Sequence, residues 1–288
     1  MDINICKKNK LLLLVQILII ILNLFYTREI FLKKNSNLKF TNRKSKKDLS
    51  VNDNIDLKSF IIRKCVKENQ FALTFDDGPN EMTVRHLDYF KSKKIKVTFF
   101  FMANRLLDEN LLKIVKRADA EGHIIGNHNY YHTSVLEDLR KLNDINDKNK
   151  YIKEFKKYFD RSTNLFMKKL GKAPKFFRPP YGDIGYHSAK FINKLTKLKI
   201  VLWNLDSMDW YHIQEGQNPE IIIENFLDKI IEHPESSYIS LQHDKGEDFE
   251  GDLERLDRIL DIIKIHNFEL VTLDKCLNEE PYFYLNKK

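Results

Sequence analysis

Two histidines four residues apart, His128 and His132, and a pair of adjacent carboxylates, Asp76 and Asp77, carry the clearest chemical potential in this chain. Two imidazoles at that spacing can point at one centre. With one carboxylate they make an N,N,O facial set that leaves coordination positions open, as a catalytic zinc ion requires. Such an ion is a Lewis acid that lowers the pKa of water toward about 7 and polarises a carbonyl. The second carboxylate of the pair can stay off the metal as a general base, because successive side chains on an extended segment diverge. A further histidine, His243, can supply a general acid, and a buried Asp near it would raise its pKa and fix its tautomer. Together these are the parts of a metal-assisted amide or ester hydrolase.

Each part has a plain explanation when taken alone. Asp76-Asp77-Gly78-Pro79 is a good turn, Arg178-Pro179-Pro180-Tyr181-Gly182 is a plausible structural one, and a lone histidine is commonly a satisfied polar group. Their joint placement is harder to explain in that way. From residue 71, short β-branched or aromatic runs alternate with longer amphipathic stretches. FALTF (71–75), VTFFF (97–101), HIIGN (123–127), KFFRP (175–179), IVLWNL (200–205), SYISLQ (237–242) and ELVTL (269–273) read as strands. Helical periodicity covers about 82–94, 109–120, 148–170, 187–198, 219–232 and 252–266. Seven strands separated by helices predict an α/β fold with a parallel sheet. Near-continuous apolar strands suit a closed or nearly closed, distorted (β/α) barrel, with a doubly wound open sheet as the competing architecture. In a barrel, chemistry belongs at the C-terminal ends of strands. Five polar clusters stand there: Asp76-Asp77-Gly78-Pro79, His128 to His132, Arg178 to Gly182, Asp206-Ser207-Met208-Asp209-Trp210, and His243-Asp244.

TFDDG, H-x-x-x-H, RPPYG, DSxDW and L-x-H follow one another in this order, and over about residues 65–284 the chain resembles the polysaccharide deacetylases of the NodB-homology, carbohydrate esterase family 4 type. GKAPKFFRPPYGDI, VLWNLDSMDW and a C-terminal VTLDKCL lean toward the fungal-style chitin deacetylases. The resemblance implies that Asp76 is the catalytic base, that Asp77, His128 and His132 hold the metal, and that Arg178 orients Asp76. It implies that the backbone N–H of Tyr181 stabilises the oxyanion. His243 would protonate the departing amine with Asp206 tuning it, and Trp210 and Leu241 would wall an acetyl pocket. The implied cofactor is a divalent metal, zinc first, with cobalt or nickel as alternatives. The implied substrate is chitin or a related N-acetylglucosamine polymer, deacetylated to chitosan and acetate. A peptidoglycan N-acetylglucosamine deacetylase and a catalytically weak carbohydrate-binding surface protein are the alternatives. The family pattern has Ser or Thr directly after the first metal histidine, where this chain has Asn129, a departure that bears on metal affinity and rate more than on fold.

The chain has 288 residues, 42% of them hydrophobic and 31% charged, which is globular composition. Its net charge of +8 is unevenly placed, because residues 1–70 hold 15 Lys/Arg against 6 Asp/Glu and the remainder holds 34 against 35. A nucleic-acid enzyme should carry its basic stripe on the folded surface, so a nucleic-acid partner is not expected. Lys7, Lys8 and Lys10 precede a charge-free apolar run at 11–26, the pattern of a signal peptide or a retained signal-anchor; no small-x-small cleavage site follows, which favours the anchor. Residues 27–64 read as a basic stalk or linker and 65–288 as the deacetylase domain. The expected location is the secretory pathway and the cell surface or wall, with membrane attachment through 11–26 if these are uncleaved, and the expected state is a monomer. In that oxidising compartment Cys65, just before the first strand, and Cys276, just after the last, are expected to pair, since a closed barrel brings its two ends together.

Overall fold

All seven apolar runs become strands of one sheet. The computed structural model describes residues 60–143, 145–215, 220–234, 236–244 and 251–285. The strands are β1 (Ile61–Ile62), β2 (Gln70–Ala72), β3 (Thr74–Asp76), β4 (Thr98–Phe101), β5 (Ile124–Asn127), β6 (Lys172–Pro174), β7 (Phe176–Phe177), β8 (Lys199–Val201), β9 (Leu205–Asp206), β10 (Tyr238–His243), β11 (Glu269–Val271) and β12 (Tyr282–Tyr284). Among the described residues the main sheet runs β1-β8-β7-β5-β4-β3-β10-β2-β11, with β9 paired to β10, and every ladder in it is parallel. β6 and β12 form a separate antiparallel pair. The first apolar run splits at Leu73 because its two halves have different neighbours: β2 lies between β10 and β11, whereas β3 lies between β10 and β4.

Side chains alternate across the sheet, and the two faces bury different sets. On one face Phe71, Leu73, Phe75, Phe99 and Phe101 pack with Leu87, Phe90, Leu112, Val115, Phe226, Ile230, Leu256 and Ile259 from the surrounding helices. Phe71, Phe75, Phe99 and Phe101 are fully buried, each worth about 1.5–3 kcal/mol of transfer free energy. On the other face Ala72, Phe100, Phe176, Val201, Ile239 and Val271, from six strands, meet in one cluster. A flat sheet would keep those strands apart, so the sheet curls around them as a distorted barrel. No ladder joins β1 to β11 among the described residues, which leaves the barrel incomplete. Cys65 and Cys276 are disulfide-bonded within the inner cluster, with Cα atoms 4.6 Å apart and a sequence separation of 211.

The helices are α1 (Glu81–Lys93), α2 (Glu109–Ala120), α3 (Val135–Arg140), α4 (Lys148–Leu170), α5 (Tyr186–Thr196), α6 (Asp209–Gln214), α7 (Glu220–Glu232), α8 (Asp252–Ile265) and α9 (Leu273–Leu277). α1 starts directly after the Asp-Asp-Gly-Pro turn because Asn80 and Thr83 form a reciprocal cap. The Asn80 side chain accepts from the Met82 and Thr83 N–H groups, and the Thr83 hydroxyl accepts from the Asn80 N–H. α4 is capped by Asp147 and ends at Gly171 with φ +74°, and it buries Phe155, Phe159, Ser162 and Phe166 at helical spacing.

The sheet begins earlier than expected. Ile61 and Ile62 pair with Ile200 and Val201 inside the stretch read as linker, because a two-residue strand is too short to show a periodicity. The apolar run 11–26 and most of the expected stalk lie outside the described residues. No helix among the described residues is long and apolar enough to cross a membrane.

Candidate active site

The polar clusters converge because the strands are parallel and adjacent. Asp76 ends β3, and its register partner on β10 is His243. Asn127 ends β5, two strands along, and the loop after it carries His128 and His132. Arg178 follows β7 directly, with its N–H bonded to the Asn127 carbonyl at 3.0 Å.

Backbone conformation marks the same loops. Of ten described non-glycine residues with positive φ, five are Asp77 (+77°), Asn129 (+67°), His132 (+58°), Tyr181 (+62°) and Met208 (+56°), all in these clusters. Left-handed backbone at L-residues is costly and persists where surroundings over-determine it, as at functional sites. Gly78 has a second constraint. A Cβ there would come 2.4 Å from an Asp244 carboxylate oxygen, so only glycine lets the buried Asp244 pack behind the loop. Burial pushes the Asp244 carboxyl up to about 6, against the hydrogen bond it accepts from the Thr83 hydroxyl.

Asp77 Oδ1 lies 3.2 Å from His128 Nε2 and 3.0 Å from His132 Nε2. His128 Nδ1 lies 2.8 Å from the Arg178 carbonyl oxygen, which can only accept, so this nitrogen carries a proton and Nε2 is the nitrogen turned toward Asp77. Ligand atoms of Asp77, His128 and His132 all fall within 4.8 Å of one another. Burial acts to raise the Asp77 pKa, but hydrogen bonds and charge from the two imidazoles outweigh it and hold the carboxyl well below the usual carboxylate range. Two nitrogens and an ionised oxygen aimed at one point are the donor set of a divalent cation, and the residues present fit one.

Asp76 is held differently. Its Oδ1 accepts from Arg178 Nη1 at 2.8 Å, while Oδ2 is 3.8 Å from His128 Nε2. Arg178 is fully buried, lies over the Phe100 ring at 4.1 Å, and also donates to the Thr74 hydroxyl and to the Val201 and Leu202 carbonyls. Burial pushes its pKa down and the Asp76 charge opposes that shift. With Arg178 fixed by four partners, Asp76 has one oxygen committed and one turned toward the His128 imidazole.

The histidine partner differs from expectation. His243 Nδ1 is 2.7 Å from Asp209 Oδ1, and the His243 backbone N–H donates to Asp209 Oδ2 at 2.7 Å. Burial alone would lower the His243 pKa, but the Asp209 charge and hydrogen bond raise it to about 9. Asp206, the expected tuning residue, is used elsewhere: it accepts from the Trp203 indole N–H at 3.1 Å and from the Met208 N–H at 2.9 Å. The reason is local geometry. Asp206 is the last residue of β9, paired with Leu241, and the turn through Met208 brings the fully buried Asp209 back to His243. Two aspartates three apart in DSMDW look equivalent in sequence, and only the β9–β10 register separates them.

Tyr181 sits beside the triad, its ring edge-on to His132 at 4.7 Å between centroids and its hydroxyl donating to the His132 carbonyl at 3.4 Å. Leu241 is buried two residues before His243 on the same face of β10, and Trp210 is 51% exposed. Tyr131 and Tyr181 on these loops, with Trp210 and Tyr211 in the first turn of α6, are exposed aromatic surface.

Residues 63–202 match the sequence profile of the family described as polysaccharide deacetylase. A peptidoglycan-N-acetylglucosamine deacetylase of Bacillus cereus is 35% identical over 206 residues, 71% of this chain and 66% of that protein's own length. A second from Bacillus cereus is 32% identical over 216 residues, 73% of this chain and 89% of that protein. The chitin deacetylase of Colletotrichum lindemuthianum is 27% identical over 235 residues, 76% of this chain and 84% of that protein. Its solved structure superposes with a TM-score of 0.65 at 24% identity, covering 79% of this chain and 98% of that one, which shows a shared fold. With that fold and an identity of 32% spread over most of a relative's length, the chain belongs to the polysaccharide deacetylase family.

Proposed function

We propose that this protein is a metal-dependent hydrolase that removes the N-acetyl group from N-acetylglucosamine units of chitin or chito-oligosaccharides, releasing acetate and leaving glucosamine. The observation that carries the reading is the pairing of Asp76 with His243 on adjacent strands, one bound to a buried arginine and the other to a buried aspartate, beside a cation donor set. Amide hydrolysis needs one group to take a proton from the attacking water and another to give a proton to the leaving nitrogen.

Asp77, His128 and His132 would hold the divalent ion, zinc by donor type, with cobalt or nickel as alternatives. Bound there, the ion would supply Lewis acidity to the acetyl carbonyl. Asp76, held by Arg178, accepts the water proton. Negative charge builds on the carbonyl oxygen, where the Tyr181 N–H is assigned as the protein donor, a contribution of several kcal/mol in comparable sites. His243, kept protonated by Asp209, then donates to the glucosamine nitrogen as the C–N bond breaks. The exposed aromatic rings of Tyr181 and Trp210 offer faces for the apolar sides of sugar rings, and Leu241 offers an apolar wall for the acetyl methyl.

A second reading has an observation in its favour: the relatives named for peptidoglycan are 35% and 32% identical to this chain, and the one named for chitin is 27%. The chemistry is the same and the polymer differs. Acetate release measured in parallel on chitin oligomers and on peptidoglycan tests both. Release from chitin oligomers alone supports the first reading, and release from peptidoglycan alone transfers the activity to the second. Polymer binding without acetate from either would make the protein a carbohydrate-binding relative instead.

A further inference from the structure

The loop that carries His128 and His132 turns through two left-handed residues, Asn129 at φ +67° and His132 at φ +58°. Such a loop holds its shape only if something outside it fixes it. Asn129 is 2% exposed and spends both amide protons, one on the Thr133 carbonyl at 3.2 Å and one on the Tyr158 hydroxyl of α4 at 2.7 Å. The Tyr158 hydroxyl in turn donates to Asp138 Oδ2 of α3 at 3.1 Å. Asp138 Oδ2 also accepts from the Thr133 hydroxyl, one residue past His132, and Asp138 Oδ1 accepts from Lys141 Nζ at 2.6 Å. A second tie runs from the same segment to the turn that carries Tyr181, where the Ser134 hydroxyl donates to Asp183.

We infer that Asp138 and Tyr158 are positioning residues that fix the metal-binding loop through Asn129, so that affinity for the divalent ion depends on a relay whose outer members touch neither the ion nor the substrate. The arrangement is directional. Asp138 accepts from both Thr133 and Tyr158, which sets the Tyr158 proton toward Asp138 and leaves a hydroxyl lone pair for Asn129. Asn129 is thereby held from both ends of the loop, one residue after His128 and, through Thr133, one residue after His132. Hydrogen bonds made to a ligand side chain itself typically change metal affinity by 10–100-fold when lost, and a relay that acts through the loop backbone belongs at the lower end of that range. The Asn129 amide donates to both partners at once, whereas a serine or threonine hydroxyl there, with one proton, could donate to only one of them.

This inference rests on Asp77, His128 and His132 being the ligands. It is tested by titrating the metal-free full chain with Zn2+ and reading the dissociation constant calorimetrically, without substrate. Tyr158→Phe keeps the ring and removes the hydroxyl; its affinity is expected to fall about tenfold or more, and Asp138→Asn is expected to weaken binding in the same direction. Lys141→Ala removes only the exposed lysine paired with Asp138 and is expected to bind as the parent does. A merely structural role would lower the melting temperature of Tyr158→Phe and leave its affinity at the parent value, and that result would overturn the proposal. Equal losses in Lys141→Ala and Tyr158→Phe would also overturn it, since the cause would then be general loosening of α3. A parent that takes up no Zn2+ would overturn the ligand assignment, and this inference with it.

Discussion

Asp76 and His243 are register partners on parallel strands β3 and β10, and the Asp244 N–H donates to the Asp76 carbonyl at 3.1 Å. Partners on adjacent strands face the same side about 5 Å apart, so the group assigned to take a proton and the group assigned to give one are set by the ladder itself. Their roles are kept apart by what lies behind each, Arg178 for one and Asp209 for the other.

The account assigns Asp76 to proton transfer and Asp77 to the metal. Asp76→Asn is therefore expected to bind a stoichiometric divalent ion and to lose about 10²–10⁴-fold in turnover, the usual range for removal of a general base. Metal analysis of the purified variant checks this, and loss of the ion would show that the two roles are exchanged.

The pH dependence follows from His243. Its pKa of about 9 stands above the ordinary value of about 6.5. The ion pair's contribution to stability is thus complete below about 6.5 and is lost as the pH rises through about 9. A general acid with that pKa keeps the enzyme active to a similar limit. Asp209→Asn should move the alkaline limb of kcat/KM to lower pH by at least about one unit, while Asp206→Asn should move it less. An equal or larger displacement in Asp206→Asn would reverse this assignment.

Arg178 is buried with the charge it serves. Replacing it by methionine leaves the buried Asp76 carboxyl without its partner, and breaking one side of a buried pair costs about 3–5 kcal/mol. Urea denaturation of Arg178→Met should show a loss of that order along with lost activity. A fully stable but inactive variant would mean that Asp76 finds other compensation.

The disulfide is expected to act on stability alone. Joining Cys65 to Cys276 closes a loop with a sequence separation of 211, and in the chain-entropy model a loop of that size stabilises by about 5.4 kcal/mol at most. The Cys65→Ser, Cys276→Ser double variant should melt at a lower temperature and bind Zn2+ as the parent does. A lowered metal affinity would show that the inner cluster reaches the site.

Much of this was legible in the sequence, and the exceptions share a cause. FALTF, VTFFF and SYISLQ announce themselves because both faces of each strand are buried, one on the helices and one inside the curl. The Asp76–Asp77, His128–His132 and Arg178 clusters could be read because each follows its strand directly. Asp209 could not be told from Asp206, because the choice depends on how β9 meets β10 rather than on the spacing of the two carboxylates. Tyr158 and Asp138 left no trace in a local pattern: they stand 29 and 9 residues from Asn129, and one of them looks like an ordinary half-buried position of α4. β1 and β12 are too short to carry an alternation.

The central claim is that a divalent ion held by Asp77, His128 and His132 is needed for deacetylation, whereas the fold stands on its own core. The most direct test is acetate release from chitin oligomers and from peptidoglycan by the full chain before chelation, after EDTA, and after Zn2+ is restored, with far-UV circular dichroism recorded at each stage. The account predicts that acetate release stops with EDTA and returns with Zn2+ while the dichroism spectrum stays unchanged. Undiminished acetate release by the chelated protein, or unfolding on chelation, would contradict it.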